Sequence, residues 1–158
     1  MIIIDGHNLL HAIRKTEEDS QALSDVQLCL IIGRYLKLIS KHGEIIFDGT
    51  GPRDKSGFDN ISNLEVFFSG QGTDTDSVIE DKIRASTAPK GLTIVSSDRR
   101  LRRAAQTRKA TAIKSEDFWN NLQKRFRRKK APREPAGKHL GLTESETQQW
   151  LEFFGLEQ

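Results

Sequence analysis

Three short apolar runs in this chain each give way to an aspartate: IIID at 2–5, EIIFD at 44–48 and LTIVSSD at 92–98. Their apolar residues are contiguous rather than alternating and rich in Ile and Val, the pattern of strands covered on both faces. Helical patterns separate them, so the chain is expected to fold as a three-layer α/β domain with a mainly parallel sheet. Right-handed crossovers then gather the carboxyl ends of the strands, and with them the aspartates, on one edge. That edge is where open α/β sheets place their ligands.

Taken in order, Asn8 to Ile13 reads as a short helix, Lys15 to Gln21 as a polar segment, and Ala22 to His42 as a longer amphipathic helix stopped at His42-Gly43. Gly6 is expected to turn the backbone through a conformation denied to other residues. Gly49 to Asn60 reads as a loop, in which Phe58 either stacks on an unpaired base or packs in the core. Leu64 to Gly70 supplies a strand, VIEDKIRAS a helix with Asp74 and Asp76 at its entrance, Arg99 to Lys109 another helix and Ala110 to Ile113 the last strand. Ser115 is placed as the cap of a helix beginning near Glu116, with Phe118, Leu122 and Phe126 as its buried stripe and Trp119 at the margin. The domain is expected over residues 1–129, a Pro- and Gly-interrupted linker over 130–142 and a short helical extension over 143–158. Thr143 and Glu146 form a capping box there, and Trp150, Leu151, Phe153 and Phe154 an aromatic anchor that docks on the domain or engages a partner or second subunit.

With 158 residues the chain is long enough for one substantial core. Cys29 is the single cysteine, which excludes an internal disulfide and a Cys-rich zinc cluster. No apolar segment approaches the roughly 20 residues needed to span a bilayer, and the opening residues lack the pattern of a secretory signal, so a reducing, cytoplasmic setting is expected. The net charge of +3 is unevenly spread: residues 99–130 are crowded with Arg and Lys against only Glu116 and Asp117, while the preceding part is acidic. A polyanion-attracting surface beside an acidic cluster suits a metal-dependent nuclease, although basic runs also occur as solvated faces.

Asp5, Asp48, Asp74, Asp76 and Asp98 are the acids that this topology can bring together. Clustered carboxylates repel one another and are costly to desolvate, whereas Mg²⁺ or Mn²⁺ compensates their charge and uses their oxygens as hard ligands. Asp5, Asp76 and Asp98 form the expected core, with Asn8 assisting and Asp74 contributing a ligand or a water contact. Asp48 either joins this shell or orients its loop. Glu80 shares a helical face with Asp76, to hold a water or to form an ion pair. His7 and His11 leave zinc only a weak competitor, since neither HExxH nor a compact Cys/His set is present. Arg99, with Arg102 or Arg103, begins just beyond Asp98, and Lys124, Arg127 and Arg128 extend the path for a phosphate backbone.

On IIIDGHN at 2–8, IIFDG at 45–49, TDTDSVIE at 73–80 and VSSDRRL at 95–101, the chain resembles the YacP-like branch of the NYN domains within the PIN-like nuclease superfamily. The resemblance spans most of Met1 to Phe126. It implies divalent-metal-dependent phosphodiester hydrolysis, usually of RNA and endonucleolytic, with Asp5 and Asn8 in the first motif, Asp76 in the central one and Asp98 at the strand exit. Two departures stand out: TDTD replaces the common TAD, and His7 stands where a tyrosine is often found. Such a mechanism activates water rather than the RNA 2′-hydroxyl. The alternatives are a noncatalytic RNA-binding or ribosome-associated protein and a metal-dependent phosphatase, the latter weakened by His7 two residues after Asp5. A dinucleotide enzyme lacks its GxGxxG.

Overall fold

The computed structural model describes residues 1–16 and 23–130, and of Lys129 and Lys130 only the backbone. The expected linker beyond residue 130, the terminal helical extension with its aromatic anchor, and most of the polar segment before Ala22 lie outside the described residues. Five strands, β1 (Ile2–Asp5), β2 (Gly43–Phe47), β3 (Leu64–Phe68), β4 (Thr93–Val95) and β5 (Thr111–Ile113), form one sheet in the order β3-β2-β1-β4-β5. All pair in parallel. The helices are α1 (Gly6–Thr16), α2 (Asp25–Leu38), α3 (Thr75–Ala85), α4 (Arg99–Thr107) and α5 (Ser115–Lys130), with single 3₁₀ turns at Ser56–Phe58 and Pro89–Gly91.

The three Ile residues of β1 explain why it is central. Ile2 and Ile4 join the core beneath α1, α2 and α5, with Leu9, Leu28, Leu36, Phe118 and Phe126. Ile3 joins Ile46, Ile79, Ile83, Ile94 and Leu101 beneath α3 and α4. Each such fully buried side chain stabilises the fold by about 1.5–3 kcal/mol relative to an exposed one. The expected three-layer architecture is therefore the one observed. The chain runs outward from β1 through β2 to β3, then recrosses to β4 and β5, so its order reverses between β1 and β4. A crevice outside the carboxyl ends of those two strands follows from that reversal.

Local differences from the expectations have steric causes. Helix α1 begins directly at Gly6, which lacks a positive φ; a Cβ there would stand 2.5 Å from the Phe47 ring. Glycine is thus required by close approach rather than by an unusual turn. Helix α2 is shorter than expected at both ends: Ser24 caps it in a capping box with Gln27, and it closes at Ile39, after which Ser40 takes the left-handed conformation at φ 56°. Gly43 opens β2 instead of ending the helix, because a Cβ would meet Ile2 O and Leu36 Cδ1, each at 2.9 Å. Trp119 is core rather than margin, at 2% exposure. Phe58 packs against Phe47 and Phe68, so it is a core residue and not a base-stacking one.

Candidate active site

Asp5 is the last residue of β1 and is only 7% exposed, held where the sheet ends and α1 begins. Its Oδ1 accepts from the Asn8 amide at 3.4 Å and its Oδ2 from the Ser96 hydroxyl at 3.4 Å. Ser96 Oγ in turn accepts from the Asp98 amide at 3.1 Å, so one serine links the first and last aspartates of the expected set. Burial, chiefly, pushes the Asp5 carboxyl up to about 6. The Asn8 amide opposes the rise, and the negative charges of Asp76 and Asp98 add to it. Asp76, in the first turn of α3, is also raised, first by desolvation and then by Asp98, while Arg100 pulls it back. Three carboxylates from β1, α3 and the β4–α4 junction therefore act on one another electrostatically.

Two of the aspartates are also helix caps. Asp98 Oδ1 accepts from the Arg100 amide at 2.8 Å, opening α4, and Asp74 Oδ1 from the Ser77 amide at 2.6 Å, opening α3. The Ser77 hydrogen bonds hold the Asp74 carboxyl below its ordinary range. Asp48 is exposed and accepts from Ser69 Oγ, which itself accepts from the Gly49 amide, so its observed role is to tie the loops after β2 and β3. Glu80 forms ion pairs with Arg84 and Arg100, matching the ion-pair alternative for that residue.

The role of Asn8 is more extensive than the sequence suggests. Its Oδ1 accepts from the Ser97 amide at 3.0 Å and from the Ser115 hydroxyl at 2.6 Å. Ser97 Oγ donates to Glu116 at 2.9 Å and accepts from the Ser115 amide at 3.1 Å. One carboxamide thus joins the carboxyl ends of β1, β4 and β5. Ser115, buried and already within α5, serves this junction rather than standing outside the helix as its cap. Neither Ser115 nor Glu116 is recognisable as a site residue beforehand, because their partners are far away in sequence.

The basic residues divide into engaged and open groups. Arg100 is tied to Glu80, and Arg108 donates to the carbonyls of Arg84 and Ser86. Arg99 and Arg103 are exposed, while Arg102 is half-buried. Lys124, Arg127 and Arg128 are exposed along α5, the last two roughly 18–20 Å from Ser115 at 1.5 Å per residue. His7 is exposed with its ring 5.4 Å from that of Phe47.

The family model for the YacP-like NYN domain matches residues 2–152. The chain belongs to that family. Two solved structures share the fold, both of Rae1 (YacP) from Bacillus subtilis. One is 19% identical with a TM-score of 0.64, covering 98% of this chain and 92% of the other. The second, a mutant form, is 18% identical with a TM-score of 0.62 and 85% coverage of each chain. No curated protein matches. The family and fold place this YacP-like NYN domain among the nuclease-type enzymes of the NYN/PIN-like superfamily.

Among the described residues of the YacP-like domain, no three His, Cys, Asp or Glu side chains converge as a ready-made metal cage. The donor chemistry nevertheless fits a hard divalent ion. Asp5 and Asp76 both resist ionisation where they stand, and Thr75 Oγ1, next to Asp76, is buried without a hydrogen-bond partner. Mg²⁺ keeps several waters and needs only one or two carboxylates from the protein, so a loose oxygen set accommodates it without a closed cage. No helix among the described residues is long and apolar enough to cross a membrane.

Proposed function

We propose that this YacP-like NYN domain is a divalent-metal-dependent ribonuclease that hydrolyses RNA phosphodiester bonds endonucleolytically. The observation that carries this reading is the buried Asp5 carboxyl at the β1/β4 reversal, burdened by the charges of Asp76 and Asp98. Asp5, Asp76 and Asp98 hold Mg²⁺ or Mn²⁺, with Asp74 and Asp48 at the margin of the site. When bound, the ion supplies Lewis acidity toward the phosphate and lowers the pKa of water. Ser96 orients Asp5 and the Asp98 backbone together, and Asn8 keeps the β4 and β5 exits in register with β1. Arg99, Arg102 and Arg103 beside Asp98, and Lys124, Arg127 and Arg128 on α5, bind backbone phosphates. An open sheet edge admits an RNA strand without requiring a free end, in keeping with endonucleolytic attack.

The test compares wild type with Asp98→Asn on single-stranded and structured RNA, with Mg²⁺ or Mn²⁺ and with chelator, followed by identification of the product ends. Asn caps helices about as well as Asp, so the substitution retains α4 while removing the charge. Wild type should cleave only with metal and without cyclic phosphate ends, and the variant should lose at least a hundredfold in rate, on the order of 2.7 kcal/mol. Equal cleavage by both proteins, or undiminished cleavage in chelator, would sink the mechanism. One observation favours a second reading: Asp74 and Asp98 are already occupied as caps, as expected if the acids serve structure in a noncatalytic RNA-binding or ribosome-associated protein. Binding without cleavage across those substrates selects it. The cytoplasm suits either role.

A further inference from the structure

Beside the acidic crevice lies an open pocket of about 440 Å³, lined by Arg102, Lys114, Asp117, Asn120, Asn121 and Lys124 with Ala112 and Ile113 beneath. Three cations face one carboxylate there. Among the described residues no hydrogen bond or ion pair engages the side chains of Lys114, Lys124, Asn120 or Asn121, unlike Arg100 and Arg108 nearby. Arg102 Nε is buried with no hydrogen-bond partner, an unmet donor on a half-buried guanidinium. With its Nε buried, the guanidinium is already partly desolvated and restrained, and the remainder of this half-buried group lines the pocket. Asp117, Asn120, Asn121 and Lys124 recur at helical spacing on the face of α5 opposite its buried stripe of Phe118, Leu122 and Phe126. The paired carboxamides offer donors and acceptors together, as base or sugar edges require, while the cations offer only donors.

We infer that this pocket is a nucleotide subsite for single-stranded RNA, with a backbone phosphate on Arg102, Lys114 and Lys124 and a base or sugar edge on Asn120 and Asn121. It rests on the reading of RNA as the ligand. Its place relative to the crevice follows from two links. The Arg102 amide donates to the Asp98 carbonyl, one turn along α4, and Lys114 immediately precedes Ser115, which is bonded to Asn8. A strand held in the pocket therefore enters the crevice from its β5 side, flanking the bond positioned by the carboxylates. The lone Asp117 disfavours an additional anion on that side of the pocket, so a single phosphate rather than a cluster matches the lining.

The test uses the full chain and a fluorescein-labelled single-stranded RNA decamer in chelator, so that binding is measured without cleavage over a salt series. Lys114→Gln/Lys124→Gln should weaken binding about tenfold at moderate salt and flatten the slope of log affinity against log salt by about 1.4, two contacts at 0.7 each for a single strand. Lys41→Gln/Lys90→Gln removes the same charge from exposed positions elsewhere and should leave the slope unchanged. Equal losses in both pairs, no loss in the first, or no binding by wild type would overturn the subsite. Cleavage of the decamer by wild type with Mg²⁺ is scored separately. Absence of cleavage with the expected binding pattern removes the ribonuclease reading and leaves the subsite, whereas normal cleavage with unchanged binding by the first pair does the reverse.

Discussion

Asp5 is a carboxyl that the fold makes difficult to ionise, and the consequence for stability has a definite sign. Its folded pKa, about 6, lies above the ordinary 3.8, so the native state binds more protons than the unfolded chain between those values. In metal-free protein its contribution is most favourable below about pH 4 and is lost as pH rises through 6, at a cost of up to roughly 3 kcal/mol at neutral pH. Asp5→Asn removes that cost. In chelator at pH 7.5 the variant should be more stable than wild type by about 1–3 kcal/mol, with the difference vanishing near pH 4, while RNA cleavage is lost. Denaturant melts across that range check it; a variant less stable at pH 7.5 would show that the carboxylate is satisfied as it stands. Asp5 and Asp98 are visible in sequence because each ends an apolar run, and Asp76 because it stands at the entrance of an amphipathic helix. Ser115 and Glu116 are not, because a serine before a helix has the same local appearance whether it caps the helix or reaches Asn8.

At the scale of elements, the β1–α1 junction is set by the contact between Gly6 and Phe47. A methyl group at Gly6 would have to displace a ring packed against Phe58 and Phe68, so Gly6→Ala should destabilise by about 1–3 kcal/mol. Phe47→Leu, by making room, should be less harmful in the Gly6→Ala background than alone; additive losses in a double-mutant cycle would refute the steric account. The α3 entrance separates capping from chemistry at Asp74. Asp74→Ala should lose about 0.5–2 kcal/mol, and Asp74→Ser should restore most of it by accepting from the Ser77 amide. Cleavage that returns with Asp74→Ser marks Asp74 as a cap; stability that returns without cleavage makes it part of the acidic site. Element identities were legible from apolar periodicity, but helix ends were not. Gly43 resembles a helix stop in sequence, yet crowding by Ile2 and Leu36 makes it the start of a strand, and Ser40 takes the left-handed position.

For the whole molecule, an ion held on Asp5, Asp76 and Asp98, as proposed, would tie β1, α3 and the entrance of α4 to one ligand. Mg²⁺ at a hundred times its dissociation constant should therefore stabilise wild type by about 2.7 kcal/mol, and Asp98→Asn by much less. Thermal melts at matched ionic strength measure this; an equal rise in both proteins would place Mg²⁺ elsewhere. The layer architecture follows from the order of residues alone, since contiguous Ile- and Val-rich strands between amphipathic helices have few other ways to cover both faces. That order also determines which aspartates can meet, because parallel crossovers put strand exits on one edge. Three relations emerge only in the folded chain: Asn8 fastens three of those exits, Arg100 is bound to Glu80 while Lys114 and Lys124 stand open beside Arg102, and Gly6 answers to Phe47. These relations join residues distant in the chain. Their partners are selected by packing and by shared hydrogen bonds, which local sequence does not encode.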